Sequence, residues 1–343
     1  MNEIKPLTSI RGLFALYVAI YHIFPRTNSF LENGYLSVDL FFVLSGFIMS
    51  YVYSTKFSCT LKTKDYLSYL RGRIARTYPL YAFLIILISF IYILNGIELP
   101  NTSDYVILFS FLQSIFYVNN NLIPHAWSIA VEFIAYMLFP FAILLIYKVR
   151  NVIFIASAIT LGFTGLYLAS FKGYWGPLDI VSGKFAIIRC LSDYALGLVS
   201  FLIYVKAKSL LSKNKLEIAL ISSLALALLL LSFRGYDVII VACFATLIPL
   251  LAASQGIIYR FMSLSPMVYL GEISYSIYLI HYPLCRKLSF IPAWIQSKTV
   301  LFDINHVVLI LTIIFSVLTY HFIEIPCRNF IRGQLIKSST NVA

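Results

Sequence analysis

Two ionisable side chains sit in an apolar setting that should resist them. Arg11 opens, and His22 nearly closes, the run Gly12 to Phe24. Eleven residues on a helix make three turns plus about 20°, so the pair shares one face, separated by about 16 Å along the axis. A guanidinium grips carboxylate or phosphate oxygens in a fork. An imidazole changes charge near neutral pH and can take a proton from a hydroxyl. One helix thus offers an anion anchor at one depth and a base at another. The alternative is an arginine that sets topology and a histidine resting at an interface.

Further along, the run Ser37 to Phe47 carries Asp39 at a depth similar to His22, where a carboxylate orients an imidazole or caps a helix start. In Pro124-His125-Ala126-Trp127-Ser128, a new helix begins. It aligns Ser128, Glu132 and Tyr136 at i, i+4 and i+8, with His125 one turn before. Glu132 lies two turns in and needs a partner, a histidine or arginine across the bundle. Gly271, Ser274 or Tyr275, Tyr278 and His281 form another stripe, in which His281 also reads as a structural histidine. Arg189 and Asp193, spaced i, i+4, are expected to neutralise each other, and Glu324 to end its helix structurally. Arg71, Arg73 and Arg76 place three guanidiniums in six residues, suited to a phosphorylated ligand or to topology and anionic lipid.

Elements able to hold such groups must be membrane helices. Of 343 residues, 60% are hydrophobic and 12% charged, far more apolar side chain than a soluble core uses. The runs are continuous and lack the alternation of barrel strands. The net charge of +12 is gathered between those runs, so it reads as topology and no nucleic-acid partner is expected. Five cysteines show neither metal nor disulfide spacing, and no metal is expected. The N-terminal run has no small-residue cleavage site after it and reads as a retained first helix.

The expected fold is an all-α integral membrane protein with ten transmembrane helices. The spans are 10–24, 35–53, 78–95, 126–147, 151–170, 185–205, 216–233, 237–253, 267–284 and 305–325. The cluster Lys56 to Arg76 is cytoplasmic by the positive-inside rule, which puts both termini inside. Lys148 with Arg150, Lys206 to Lys215, Arg260 and Arg328 to Lys337 agree if the stretch 104–118 is re-entrant or interfacial. If it crosses, there are eleven spans. One domain is expected over 1–337, with a short polar tail at 338–343.

Arg11 with His22, the Asp39 to Phe47 run, Arg71-Gly72-Arg73, His125 to Ser128 with Glu132, and Tyr275 to Pro283 follow one another in an order that resembles the membrane acyltransferase-3 family. The resemblance covers roughly residues 5 to 332. It implies a multi-pass enzyme of the bacterial inner membrane that moves an acyl group, most often acetyl, from cytoplasmic acyl-CoA to a hydroxyl of an envelope saccharide. O-antigen, exopolysaccharide or a lipid-linked glycan would be such acceptors. The family's arginine and histidine pair falls on Arg11 and His22, and its acyl-CoA arginines on Arg71 and Arg73. Some relatives carry a fused extracytoplasmic domain; this chain is expected to resemble the stand-alone members.

Residues and resemblance meet in one expectation. Acetyl-CoA or another acyl-CoA is the co-substrate, bound at Arg71, Arg73 and Arg76, with its arm passing Arg11. His22 is the base, tuned by Asp39 or Glu132. His125, Trp127, Ser128, Tyr136, Tyr278 and His281 line the acceptor side, and Trp127, Ser128 and His125 are also candidate oxyanion donors. The main competing reading is a transporter or flippase of a lipid-linked saccharide, in which the same buried groups form a proton or substrate pathway. A non-catalytic scaffold would leave Glu132 and His22 without a reason to bear their burial cost.

Overall fold

A chain this apolar leaves its backbone amides few partners but each other, and helices satisfy them within a segment. In the computed structural model, which describes residues 3–118, 122–149, 152–173, 176–210, 212–287 and 304–340, the regular structure is helical throughout and no strand occurs among the described residues. The helices are α1 (Lys5–Ile23), α2 (Ser29–Glu32), α3 (Ser37–Phe57), α4 (Thr63–Leu94), α5 (Thr102–Phe109), α6 (Trp127–Val149), α7 (Val152–Ser170) and α8 (Gly183–Leu210). They continue as α9 (Lys213–Leu231), α10 (Asp237–Ala253), α11 (Ile257–Met262), α12 (Ser265–Glu272), α13 (Ser274–Lys287), α14 (Ile304–Thr319) and α15 (Ile325–Thr340). Arg150 and Asn119 to Asn121, used above for topology, lie outside the described residues.

Among the described residues, seven stretches are long and apolar enough to cross a bilayer, within α1, α3, α4, α6, α8, α9 and the α14–α15 pair. The other three expected spans are helical as well. α7 covers all but the first residue of 151–170 with 19 residues, and α10 covers 237–253 with 17. The expected span 267–284 is split at Ile273 into α12 and α13. Across 104–118 the only regular helix is the 8-residue α5, which rises about 12 Å and cannot cross a hydrocarbon layer of about 30 Å.

Two pairs of glycines set the helix crossings that matter. A Cβ on Gly12 would lie 2.6 Å from the Gly271 nitrogen, and one on Gly271 would lie 1.9 Å from the Thr8 carbonyl oxygen, so α1 and α12 touch backbone to backbone. A Cβ on Gly46 would lie 2.2 Å from the Tyr194 carbonyl oxygen, and one on Gly197 would lie 2.1 Å from that of Val43. That second crossing seats α3 on α8. Small residues let membrane helices approach this closely, and packing then replaces the hydrophobic drive that lipid cannot supply. α1 is inside the bundle, packed against α3, α10, α12, α13 and α14.

Candidate active site

Because α1 is central, its two ionisable residues face different cavities. Arg11 is held from the α12–α13 break: its Nε donates to Ser274 Oγ at 2.8 Å and its Nη2 to the Gly271 carbonyl at 2.8 Å. The break is what frees that carbonyl, and the Gly12–Gly271 contact brings it within reach. Around Arg11 opens a cavity of about 790 Å³, counted to its mouth, also lined by Arg73, Arg76, Glu132, Tyr136 and Tyr278. Toward the N-terminal end of α1 it continues into a second cavity that shares Arg11, Leu44, Ile48, Arg76 and Tyr275 and adds Glu272, Glu324 and Arg328.

The cavity around Arg11 is rich in guanidinium. Arg73 Nη2 donates weakly to Tyr53 Oη at 3.4 Å, and its Nε is buried with no hydrogen-bond partner among the described residues. Glu132 accepts from Tyr136 Oη at 2.7 Å, and Tyr136 accepts from Ser45 Oγ at 3.2 Å. Glu324, expected to be a mere helix end, instead closes a π-helical turn, Tyr320–Glu324, and its carboxylate accepts from Ser276 Oγ beside the arginines. Single π turns recur at functional sites, but a run such as Tyr320 to Glu324 gives no sequence sign of one. Arg71 is the exception among the cluster: it is exposed on α4, while Arg73 is buried and Arg76 half-buried two and five residues on.

His22 faces the other way. The cavity around it is lined by Tyr21, Arg26, Tyr35, His125, Trp127, Arg189, Tyr278 and Tyr282 among others, and a neighbouring cavity shares Tyr21, His22, Arg26 and Tyr35. Three histidines converge there from α1, from the 3-10 turn Pro124–Ala126 and from α13. His281 Nε2 is 3.1 Å from His22 Nδ1. His125 donates from Nε2 to the Leu279 carbonyl at 3.1 Å and stacks on Tyr282, ring centroids 4.9 Å apart. The non-crossing segment after α5 braces that turn: Ser114 Oγ donates to the Trp127 carbonyl at 2.9 Å and Gln113 Nε2 to that of Ala126 at 3.3 Å.

The two cavities share Val38 and Tyr278. Tyr278 Oη donates to the His125 carbonyl at 2.7 Å and lies 2.7 Å from Ser128 Oγ, so a hydrogen-bonded phenol stands where they meet.

Neither carboxylate expected to tune His22 reaches it. Asp39 forms a buried bidentate pair with Arg189, Nε to Oδ1 at 2.7 Å and Nη2 to Oδ2 at 2.6 Å. Arg189 Nη1 also donates to the Ile180 carbonyl at 3.1 Å, and its guanidinium lies 5.4 Å from the Trp127 ring. The pair joins α3 to α8 above the Gly46–Gly197 crossing, and the helix start at Ser37 has no side-chain cap. Asp193, the partner expected for Arg189, forms no ion pair with it; Asp39 wins because the helix crossing presents both its oxygens to the fork. Glu132 faces the arginine cavity. Thus Arg11, Arg73, Arg76, Glu132, Tyr136 and Ser128 meet in one cavity, His22, His125 and Trp127 line the other with His281 buried behind His22, and Tyr278 lines both. Tyr21, Arg26, Tyr35 and Tyr282 were missed; only the nearness of Arg26 and Tyr282 in sequence to His22 and His281 pointed to them.

Residues 6–321 match the acyltransferase domain that defines the acyltransferase-3 family. The chain belongs to that family. It is 27% identical to O-acetyltransferase OatA of Staphylococcus aureus strain NCTC 8325 over 94% of this chain and 57% of that protein. It is 25% identical to a putative O-acetyltransferase of S. aureus strain COL over 96% of this chain and 58% of the relative. The chain therefore spans a little over half the length of the curated relatives it matches. No solved structure matches it.

Proposed function

We propose that this acyltransferase-3 protein moves an acyl group, in the first place acetyl, from cytoplasmic acyl-CoA to a hydroxyl of a cell-envelope saccharide at a bacterial inner membrane. The observation that carries the reading is the pair of cavities along one helix. An arginine-lined chamber surrounds Arg11, a histidine-lined chamber surrounds His22, and the two meet at Val38 and Tyr278. The names of the relatives, O-acetyltransferases, agree with acetyl transfer to oxygen.

In this reading the donor's phosphates lie against Arg73, Arg76 and Arg11, whose forks match phosphate oxygens and whose mutual repulsion an anion relieves. Arg73 Nε, buried without a partner, is the type of donor that a bound anion would satisfy. The pantetheine arm runs beside α1 for the roughly 16 Å between Arg11 and His22. It passes when Tyr278 swings off Ser128 and the His125 carbonyl. His22 takes the proton of the acceptor hydroxyl, the oxygen attacks the thioester carbonyl, the C–S bond breaks, and the proton passes to the leaving thiolate. Ser128 and Tyr278, freed of each other, are the hydroxyl donors nearest the oxyanion. Asp39 with Arg189 holds the frame and takes no part in proton transfer. Trp127, Tyr21, Tyr35 and Tyr282 give the acceptor chamber flat apolar faces with polar edges, which suit a sugar ring.

Purified protein in proteoliposomes, given radiolabelled acetyl-CoA and an envelope saccharide acceptor, tests the reading. Acyl transfer that depends on both substrates supports it. Saccharide translocation with no thioester consumed favours the transport reading and defeats this one.

A further inference from the structure

A base needs its lone pair aimed at the substrate, and for His22 the neighbouring hydrogen bonds decide which nitrogen that is. His281 is fully buried, and its Nδ1 lies 3.0 Å from the Ile277 carbonyl oxygen one turn back on α13. A carbonyl only accepts, so Nδ1 of His281 carries the proton and its Nε2 is left with a lone pair. That Nε2 meets His22 Nδ1 at 3.1 Å, and the same Nδ1 lies 3.0 Å from the Val18 carbonyl oxygen. Both neighbours of His22 Nδ1 are acceptors, so it must be N–H. The free lone pair of His22 is then on Nε2.

We propose that His281 is the positioning residue of the reaction, taking with its neutral imidazole the part a carboxylate plays in orienting a catalytic histidine. This rests on the reading of His22 as base. The relay is His22 Nδ1–H to His281 Nε2, then His281 Nδ1–H to the Ile277 carbonyl. When His22 Nε2 takes the hydroxyl proton, the positive charge is met by His281 Nε2, and no proton leaves His22 through Nδ1. The proton on Nε2 goes on to the departing thiolate, which restores the neutral pair. The two carboxylates expected to tune His22 are committed elsewhere, Asp39 to Arg189 and Glu132 to Tyr136. A second imidazole orients His22 without placing a fixed negative charge in the bundle, where an unpaired carboxylate would be costly. Two further rings hold the relay in place: Tyr282 stands edge-on to His22 with centroids 5.1 Å apart, and His125 packs on His281 at 5.5 Å.

The test compares His281→Leu, His281→Gln and His22→Ala with the parent protein in bicelles. His281→Leu keeps an apolar side chain but no acceptor. The Gln amide oxygen can take the Nδ1–H in place of the imidazole. A general base is worth roughly 10²- to 10⁴-fold, so His281→Leu is expected to lower kcat about 100-fold or more with both KM values within twofold. His281→Gln is expected to recover at least tenfold of that. Ring-15N spectra of the five-histidine protein, assigned by single substitution, should show His22 protonated on Nδ1 in the parent and in His281→Gln, and altered in His281→Leu. A folded His281→Leu with kcat within threefold of the parent overturns the proposal, as does a parent spectrum with the His22 proton on Nε2. If His281→Leu does not fold, the parent spectrum and the Gln variant decide. Full activity in His22→Ala would instead overturn the base reading itself.

Discussion

Asp39→Asn separates a structural carboxylate from a catalytic one. Asp39 and Arg189 are 0% and 1% exposed and meet in two short parallel hydrogen bonds. The substitution leaves the guanidinium facing one amide oxygen and one amide nitrogen, a donor against a donor. Breaking one side of a buried pair costs roughly 3–5 kcal/mol, because the remaining charge is uncompensated. Arg189 keeps only the Ile180 carbonyl and the face of Trp127. At about 2 °C per kcal/mol for a large domain, the midpoint in a detergent thermal-shift assay should fall by roughly 6–10 °C. Removing both charges together, Asp39→Leu with Arg189→Met, should recover at least half of that loss, since an apolar pair of similar volume is often no worse than a buried ion pair. Acyl transfer below each variant's transition should stay within tenfold of the parent for the double variant. An Asp39→Asn protein of parental stability that has lost activity 100-fold would refute the reasoning and return Asp39 to His22.

If the arginine-lined chamber takes the donor as proposed, it makes unequal demands on its arginines. Loss of a charge-assisted hydrogen bond worth about 1.5–3 kcal/mol predicts that Arg76→Ala weakens acyl-CoA binding roughly 10- to 150-fold by equilibrium binding, whereas exposed Arg71→Ala stays within threefold. Gly271→Ala drives a methyl to within 1.9 Å of the Thr8 carbonyl oxygen, so it should cost about 1–3 kcal/mol in a denaturation assay and raise the KM for donor by displacing the carbonyl that holds Arg11. Tyr278→Ala removes both the ring where the chambers meet and a hydroxyl donor nearest the oxyanion, so acylation of the saccharide should fall at least tenfold, read by product formation, while acyl-CoA affinity stays within threefold.

The helices were legible because lipid enforces them: continuous apolar runs placed α1, α3 and α6 to α10 within about five residues. α4 begins at Thr63, well before the apolar run at 78, since its first turns carry the charges of an interface rather than of a span. The break at Ile273 was hidden because Gly271 in an apolar stripe reads as ordinary helix until the approach of Gly12 is known. Arg11 and His22 were legible as a pair at two depths, since both lie on one helix and helical geometry fixes their separation. Their partners were not. Asp39 and Arg189 are 150 positions apart, His22 and His281 259, and spacing within a helix says nothing about which helix stands opposite. The i, i+4 rule therefore assigned Arg189 to Asp193, while the Gly46–Gly197 crossing delivers it to Asp39. Glu324 was overlooked for the same reason: its helix ends there in sequence, but the π-helical turn aims the carboxylate at arginines of α1 and α4.

What stands or falls with the two-chamber reading is a transfer across the thickness of the bundle, from arginines on one side to His22 on the other. In sealed proteoliposomes with acyl-CoA on the Arg76 side and the saccharide on the His22 side, the parent should acylate the saccharide. His22→Gln should bind acyl-CoA with unchanged affinity and form product at least 100-fold more slowly. Product formed by His22→Gln at the parental rate, or formed only when donor and acceptor share one side, would contradict it.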